Sequence, residues 1–217
     1  MTSPASVRID FVSDVSCPWC AIGLASLQQA LATVESEVAA KIHFQPFELN
    51  PQMSAEGESA TEHLVQKYGS TPEQIDANRE AIRARGAALG FHFNMSRQSR
   101  VYNTFDAHRL LHWAELEGRQ LALKQILLRA YFTDGEDVSA HDTLSRLAAE
   151  AGLDAERARQ ILADDEFAAE VRAQEQFYMQ RGIHAVPAIV INGQHLISGG
   201  QPPEVFAQAL RRIAATA

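Results

Sequence analysis

A run of strand character meets an amphipathic helix at Cys17-Pro18-Trp19-Cys20, and this junction constrains the fold more than any other stretch of the chain. In Val7-Arg8-Ile9-Asp10-Phe11-Val12 apolar residues recur at period two, with β-branched and aromatic types prominent, which predicts a strand entering a core. Pro18 suits the first helical position, where its missing N–H is no loss, and Leu24, Leu27, Leu31 and Val34 follow at helical spacing. Cys17 is therefore expected at a helix N-terminus. Free N–H groups and the positive end of the helix dipole favour a thiolate there, which makes Cys17 the expected nucleophile. Cys20, one turn further in, is the expected buried resolving thiol, placed to attack a mixed disulfide at Cys17.

Other readings of a Cys-x-x-Cys pair are zinc ligation and inert burial. A structural zinc site needs a second ligand pair, yet these are the only two cysteines. Among the eight histidines only His108 and His112 are closely spaced, and they fit successive turns of a helix. No metal is expected. Inert burial fits poorly with Pro-Trp between the cysteines at a helix start.

Far downstream, Gly182-Ile183-His184-Ala185-Val186-Pro187 reads as a loop, Ala188 to Ile191 as a short strand, and Asn192-Gly193 as a hairpin turn returning through His195-Leu196-Ile197. Pro187, just ahead of the strand, is a candidate for a cis bond. Between the two halves the punctuation is helical. Thr71-Pro72-Glu73-Gln74 is a capping box, Gly90 suits the far end of that helix, and Asn103 opens a helix ending near Gly118. Ser139 with Asp142 opens another that stops near Gly152, Asp154 and Asp165 read as further N-caps, and Gly182 ends the last long helix of the block. No good strand is expected in this block. The economical organisation is an α/β frame in two parts, residues 1–57 and 182–217, with an all-helical domain over 58–181 inserted between them. Pro203 to Ala214 is expected as a final helix packing on the sheet.

At this point the chain resembles the thioredoxin-like fold of the DsbA type, and within it the FrnE-like cytoplasmic branch. The resemblance rests on Cys17-Pro18-Trp19-Cys20, Phe47-Glu48-Leu49-Asn50-Pro51, Asn103-Thr104-Phe105-Asp106-Ala107-His108-Arg109-Leu110, Ala130-Tyr131-Phe132-Thr133-Asp134-Gly135, Val186-Pro187 and Ser198-Gly199-Gly200-Gln201, in that order. It implies a thiol–disulfide oxidoreductase or isomerase that needs no cofactor beyond its own Cys17–Cys20 disulfide, with glutathione as a candidate co-substrate. It also implies that Pro187 is cis beside the disulfide and that the backbone of Val186 pairs with a thiol- or disulfide-containing substrate. Pro18 and Trp19 are expected at the substrate surface, and Asn103, His108 and Gln201 as residues lining the site. Trp19 stands where strongly oxidising members carry histidine, so one cationic stabiliser of the thiolate is absent. Asp14, three residues before Cys17, reads either as a proton acceptor for Cys20 or as a loop residue. Phe105, Tyr131, Phe132, Phe177 and Tyr178 are expected in packing, with a cleft between domains as the alternative.

Kappa-class glutathione transferases and 2-hydroxychromene-2-carboxylate isomerases resemble the chain in architecture. They carry serine at the position of Cys17, lack the second cysteine, and place an Asp-Arg pair where this chain has Gln201-Pro202. A noncatalytic peptide-binding or chaperone module is the remaining alternative.

Nearly half of the 217 residues are apolar, enough for a sizeable core, and the formal charge of −8 disfavours nucleic acid and anionic membranes as partners. No apolar run is long enough to span a bilayer. Met1-Thr2-Ser3-Pro4-Ala5-Ser6 lacks the features of a secretory leader, so a cytoplasmic location is expected, where a Cys17–Cys20 disulfide is transient and catalytic.

Overall fold

A computed structural model describes residues 4–54 and 56–215. Residues 1–3, part of the start read above for a leader, lie outside the described residues. The predicted first strand is β1 (Ala5–Ser13), and from Ile9 onward every residue of it is buried. Burial on both faces makes β1 a central strand. It pairs in parallel with β2 (Val38–Pro46) and antiparallel with β5 (Ala188–Ile191), which pairs antiparallel with β6 (His195–Ser198), so the sheet order is β2-β1-β5-β6. The β5–β6 turn uses Asn192 and Gly193 at φ of 52° and 68°, the left-handed values that Asn-Gly tolerates. Helices α1 (Pro18–Thr33) and α9 (Pro203–Ala214) pack on each other, and α9 also meets β1 and β2.

Between β2 and β5 lie β3 (Glu58–Ser59), α2 (Ala60–Tyr68), α3 (Pro72–Ala88), β4 (Arg100–Val101), α4 (Phe105–Leu116), α5 (Gln120–Arg129), a π-helical turn at Ala130–Asp134, α6 (His141–Glu150), α7 (Ala155–Ala163) and α8 (Ala168–Gln180). The Thr71 capping box forms, with Gln74 N–H donating to Thr71 Oγ1 at 3.3 Å and Thr71 N–H to Gln74 Oε1 at 2.9 Å. Asp154 caps α7 through Arg157 N–H at 2.9 Å.

Three expectations for this segment are corrected. It contains the strand pair β3–β4, two residues each and too short to show periodicity. Asp165 does not cap α8, which starts after Phe167 at φ 61° with no side-chain cap. Ser139 directs its N–H and Oγ–H to Asp137 instead of capping α6.

The helical segment and the sheet share one apolar core. A single cluster runs from Ile9, Phe11 and Leu27 through Leu110, Leu123 and Leu127 to Leu147 and Ile161. At the β2 edge, Gln120 of α5 accepts Phe44 N–H and donates to Phe44 O, both at 2.9 Å, so its amide occupies backbone groups that an edge strand leaves open. This contact ties α5 to the edge of the sheet, and α4 also meets β2. Among the described residues no helix is long and apolar enough to cross a membrane.

Candidate active site

Cys17 is the N-cap of α1, extended at φ −92° and ψ 112°, and Pro18 follows inside the first turn. Its Sγ accepts the Cys20 N–H at 3.3 Å, so one of the open donors of the helix start points at the sulfur. The S–H donates to Val186 O at 3.8 Å. Both cysteines are free thiols. The Val186–Pro187 peptide is cis. Pro187 rests on α1 where Gly23 has no side chain; a Cβ there would lie 3.2 Å from Pro187 Cγ.

Below this surface the polar groups are sealed in. Cys20 is fully buried; burial pushes its thiol up, the hydrogen bond and charge of Cys17 push it further, and Lys124 pulls against them. Asp14 is also fully buried. Its carboxylate accepts Leu49 N–H at 2.7 Å, Ser16 Oγ–H at 3.0 Å and Ser16 N–H at 3.3 Å. His108 Nε2 stands 3.4 Å from Asp14 Oδ1, an ion-pair distance without hydrogen-bond alignment. Burial alone would raise the Asp14 carboxyl, but His108, the Leu49 N–H and the charge of Lys124 together outweigh it and hold it at about 2.

Above the thiols is a cleft of about 670 Å³, with Cys17, Trp19 and Val186 on one side and Tyr68, Ile75 and Ile82 of α2 and α3 on the other. Its size falls in the range of small-molecule sites, roughly 300 to 1,000 Å³. No Asp or Glu is among its described lining residues, although the chain carries 27. Tyr131 and Phe132, expected mainly in packing, contribute to the floor while remaining buried.

The structure thus groups Cys17, Pro18, Trp19 and Val186 on the cleft, Pro187 beside α1, and Cys20, Asp14 and His108 beneath. Asn103 and Gln201, expected to line the site, are not among the described lining residues of this cleft. Asn103 accepts Phe105 N–H at 2.9 Å and donates to Met53 O at 3.1 Å, fixing the start of α4. The Gln201 side chain donates to Ser198 O at 2.8 Å, and the Gln201 backbone carbonyl accepts the Ser26 hydroxyl. Sequence reasoning missed Lys124, which is 1% exposed on α5. Its signal was available: Lys124 precedes Leu127 and Leu128 by three and four residues, on the apolar stripe of the helix. Among the described residues no three His, Cys, Asp or Glu side chains are grouped to hold a metal ion.

Residues 8–211 match the DSBA-like thioredoxin domain family. The chain belongs to this family. A probable DsbA oxidoreductase from Streptomyces coelicolor is 38% identical, with a TM-score of 0.90 over 97% of this chain and 90% of that one. The uncharacterized protein YwbO of Bacillus subtilis is 26% identical over 206 residues, which are 94% of this chain and 96% of that protein. The cytosolic disulfide reductase DsbM from Pseudomonas aeruginosa, in a structure with GSH, shares the fold at a TM-score of 0.66 and 16% identity, covering 96% of this chain and 99% of that one.

Proposed function

We propose that this DSBA-like protein is a dithiol–disulfide oxidoreductase of the FrnE-like branch that works in the cytoplasm through Cys17 and Cys20. The observation that carries the reading is the pairing at one sulfur: Cys17 lines the cleft, and its Sγ receives the Cys20 N–H and faces Val186 O. A backbone donor aimed at a sulfur accommodates negative charge as it develops there. In the reductive direction, the Cys17 thiolate attacks one sulfur of a substrate disulfide; the substrate S–S bond breaks, the mixed disulfide forms, and the leaving thiolate takes a proton from solvent. Cys20 then loses its proton and attacks Cys17 Sγ, the mixed disulfide breaks, and the second substrate thiol departs. The cysteine pair is oxidised by two electrons and the substrate reduced by two; oxidation of a substrate dithiol runs the same steps backward.

Val186 offers its backbone to an extended thiol- or disulfide-containing substrate, and Trp19, 39% exposed, offers an apolar face. Glutathione is the proposed co-substrate. No carboxylate is among the described lining residues of the cleft, which suits its negative charge, and DsbM, which shares the fold, has a structure with GSH. The residues at the site depart from the serine-based transferases and isomerases of similar architecture, since Cys17 stands where they carry serine, and Cys20 and Gln201-Pro202 replace their other features. The test is a pair of variants assayed with glutathione disulfide and with insulin. Cys17→Ser abolishes exchange, and Cys20→Ser accumulates a mixed disulfide on Cys17; turnover retained without Cys17 would sink the assignment.

A further inference from the structure

One charged side chain interrupts the face of α3 that lines the cleft. Ile75, Asn78, Arg79 and Ile82 follow one another at helical spacing and all line it, the two isoleucines at 3% and 5% exposure. Arg79 is the one permanently charged residue of the described lining, and no carboxylate there answers it. A guanidinium has five N–H donors. Nη2 donates to Thr61 Oγ1 of α2 at 2.9 Å, and Nη1 stands 3.8 Å from Oδ1 of Asp76, whose side chain is 79% exposed. An ion pair so long and so exposed contributes little, which leaves most of the fork open. His63, the other basic residue of the lining, has no donor to offer, because its two ring nitrogens are engaged with Glu58 Oε2 and Asn50 Oδ1, each at 2.9 Å.

We propose that Arg79 sets the substrate choice of Cys17 by holding a carboxylate of a small thiol or disulfide, one with no cationic group beside that carboxylate. The inference rests on the exchange reading above and specifies the substrate of the same site. The planar guanidinium matches a carboxylate through two parallel N–H···O bonds, and Thr61 fixes it on the wall across from Cys17. An ammonium beside the bound carboxylate would need an acidic partner, and the described lining has none. The chain between sulfur and carboxylate finds the apolar surface of Trp19, Tyr68, Ile75 and Ile82. In glutathione the γ-glutamyl carboxylate sits next to an ammonium, whereas the glycyl carboxylate stands alone, so the glycyl end is the one assigned to Arg79. Because that carboxylate is remote from the reacting sulfurs, Arg79 holds it equally before and during exchange and acts on binding, leaving the chemical step to the thiols.

Three disulfides oxidising the reduced protein test this: glutathione disulfide, the same molecule esterified at both glycines, and uncharged hydroxyethyl disulfide. Thiol trapping follows each reaction over a range of concentrations, which separates half-saturation from the limiting rate, and each efficiency is divided by that of free dithiothreitol with the same disulfide. Wild type is expected to prefer the free glycyl acid over its ester by at least about tenfold, the scale of one charge-assisted hydrogen-bonded pair. In Arg79→Gln this preference should vanish through a higher half-saturating concentration for the acid, while the ester and hydroxyethyl disulfide change by less than about twofold. A variant that slows all three disulfides alike would overturn the proposal, since a strut between α2 and α3 is all that such a result needs. A preference that survives in Arg79→Gln, or that wild type never shows, would overturn it too. If Arg79→Gln does not fold, wild type decides through salt: the preference should shrink as ionic strength rises, and a preference insensitive to salt would contradict an anion held by a partly exposed arginine. A wild-type protein that none of the three disulfides oxidises would remove the exchange reading itself, a result distinct from failure of the arginine's role.

Discussion

The carbonyl oxygen of Val186 lies 3.8 Å from Sγ of Cys17, although 169 residues separate them in sequence. Strand register makes this contact. Val12 of β1 is paired with Ala188 of β5, so the residues just before Ala188 must sit beside those just after Ser13. The chain leaves β1 into Asp14 and Cys17 at the same end of the sheet where Val186-Pro187 enters β5, and the thiol and the substrate-facing backbone converge there as a consequence of one antiparallel pairing.

The two thiols should differ sharply in reactivity. Cys17 faces the cleft, whereas Cys20 is fully buried and its thiol is pushed up by that burial and by Cys17. Iodoacetamide added to the reduced native protein should modify Cys17 at least about tenfold faster than Cys20, and Cys20 labelling should accelerate only at alkaline pH or on unfolding. Peptide mass spectrometry after timed quenching reads both rates. Equal rates at neutral pH would contradict the placement of Cys20.

Gly23 occupies a mid-helix position that costs about 1 kcal/mol relative to alanine, and the closeness of Pro187 explains why it is there. A Cβ would meet Pro187 Cγ at 3.2 Å and Gly200 Cα at 3.4 Å. Gly23→Val adds two methyl groups beyond that point and should lower stability by roughly 1 to 3 kcal/mol while displacing Pro187 and slowing exchange. Urea unfolding and a disulfide turnover assay check the two effects together. Full activity at unchanged stability would show that Pro187 does not need this approach.

Asp14 supplies a pH signature. The folded protein holds its carboxyl at about 2 against an ordinary 3.8. Because the folded value is the lower one, the ionised group stabilises the fold by about 2 kcal/mol at pH well above 3.8, and this contribution is lost as pH falls through 2. Asp14→Asn should therefore be less stable than wild type by about that amount at pH 7, with the difference closing as the pH is lowered from 4 toward 2. Chemical denaturation at several pH values gives the comparison. A difference that does not vary with pH would mean that the carboxylate charge is not what matters.

Much of this arrangement was legible in the sequence because it is written in local periodicity. The period-two run ending at Val12, the proline after Cys17 and the leucines of α1 sufficed for the junction, and Asn192-Gly193 sufficed for the hairpin behind Pro187. The strands β3 and β4 were not legible, since two residues carry no period. Neither was the start of α8, where Phe167 adopts a left-handed backbone with no capping side chain to announce it. Asn103 and Gln201 fall at the right positions in the chain but spend their side chains on Met53, Phe105 and Ser198. Lys124 was overlooked for a different reason: a lysine in a helix ordinarily faces water, and only its three- and four-residue spacing to Leu127 and Leu128 marked this one as facing inward.

The most direct measurement of the central claim is the redox equilibrium of the Cys17–Cys20 pair in graded glutathione buffers, read by thiol trapping with Trp19 fluorescence as a second signal. The account predicts a reversible two-electron transition in which Cys17 and Cys20 leave the free-thiol pool together. Two thiols that stay reduced across the whole series, or that oxidise separately without joining, would contradict it.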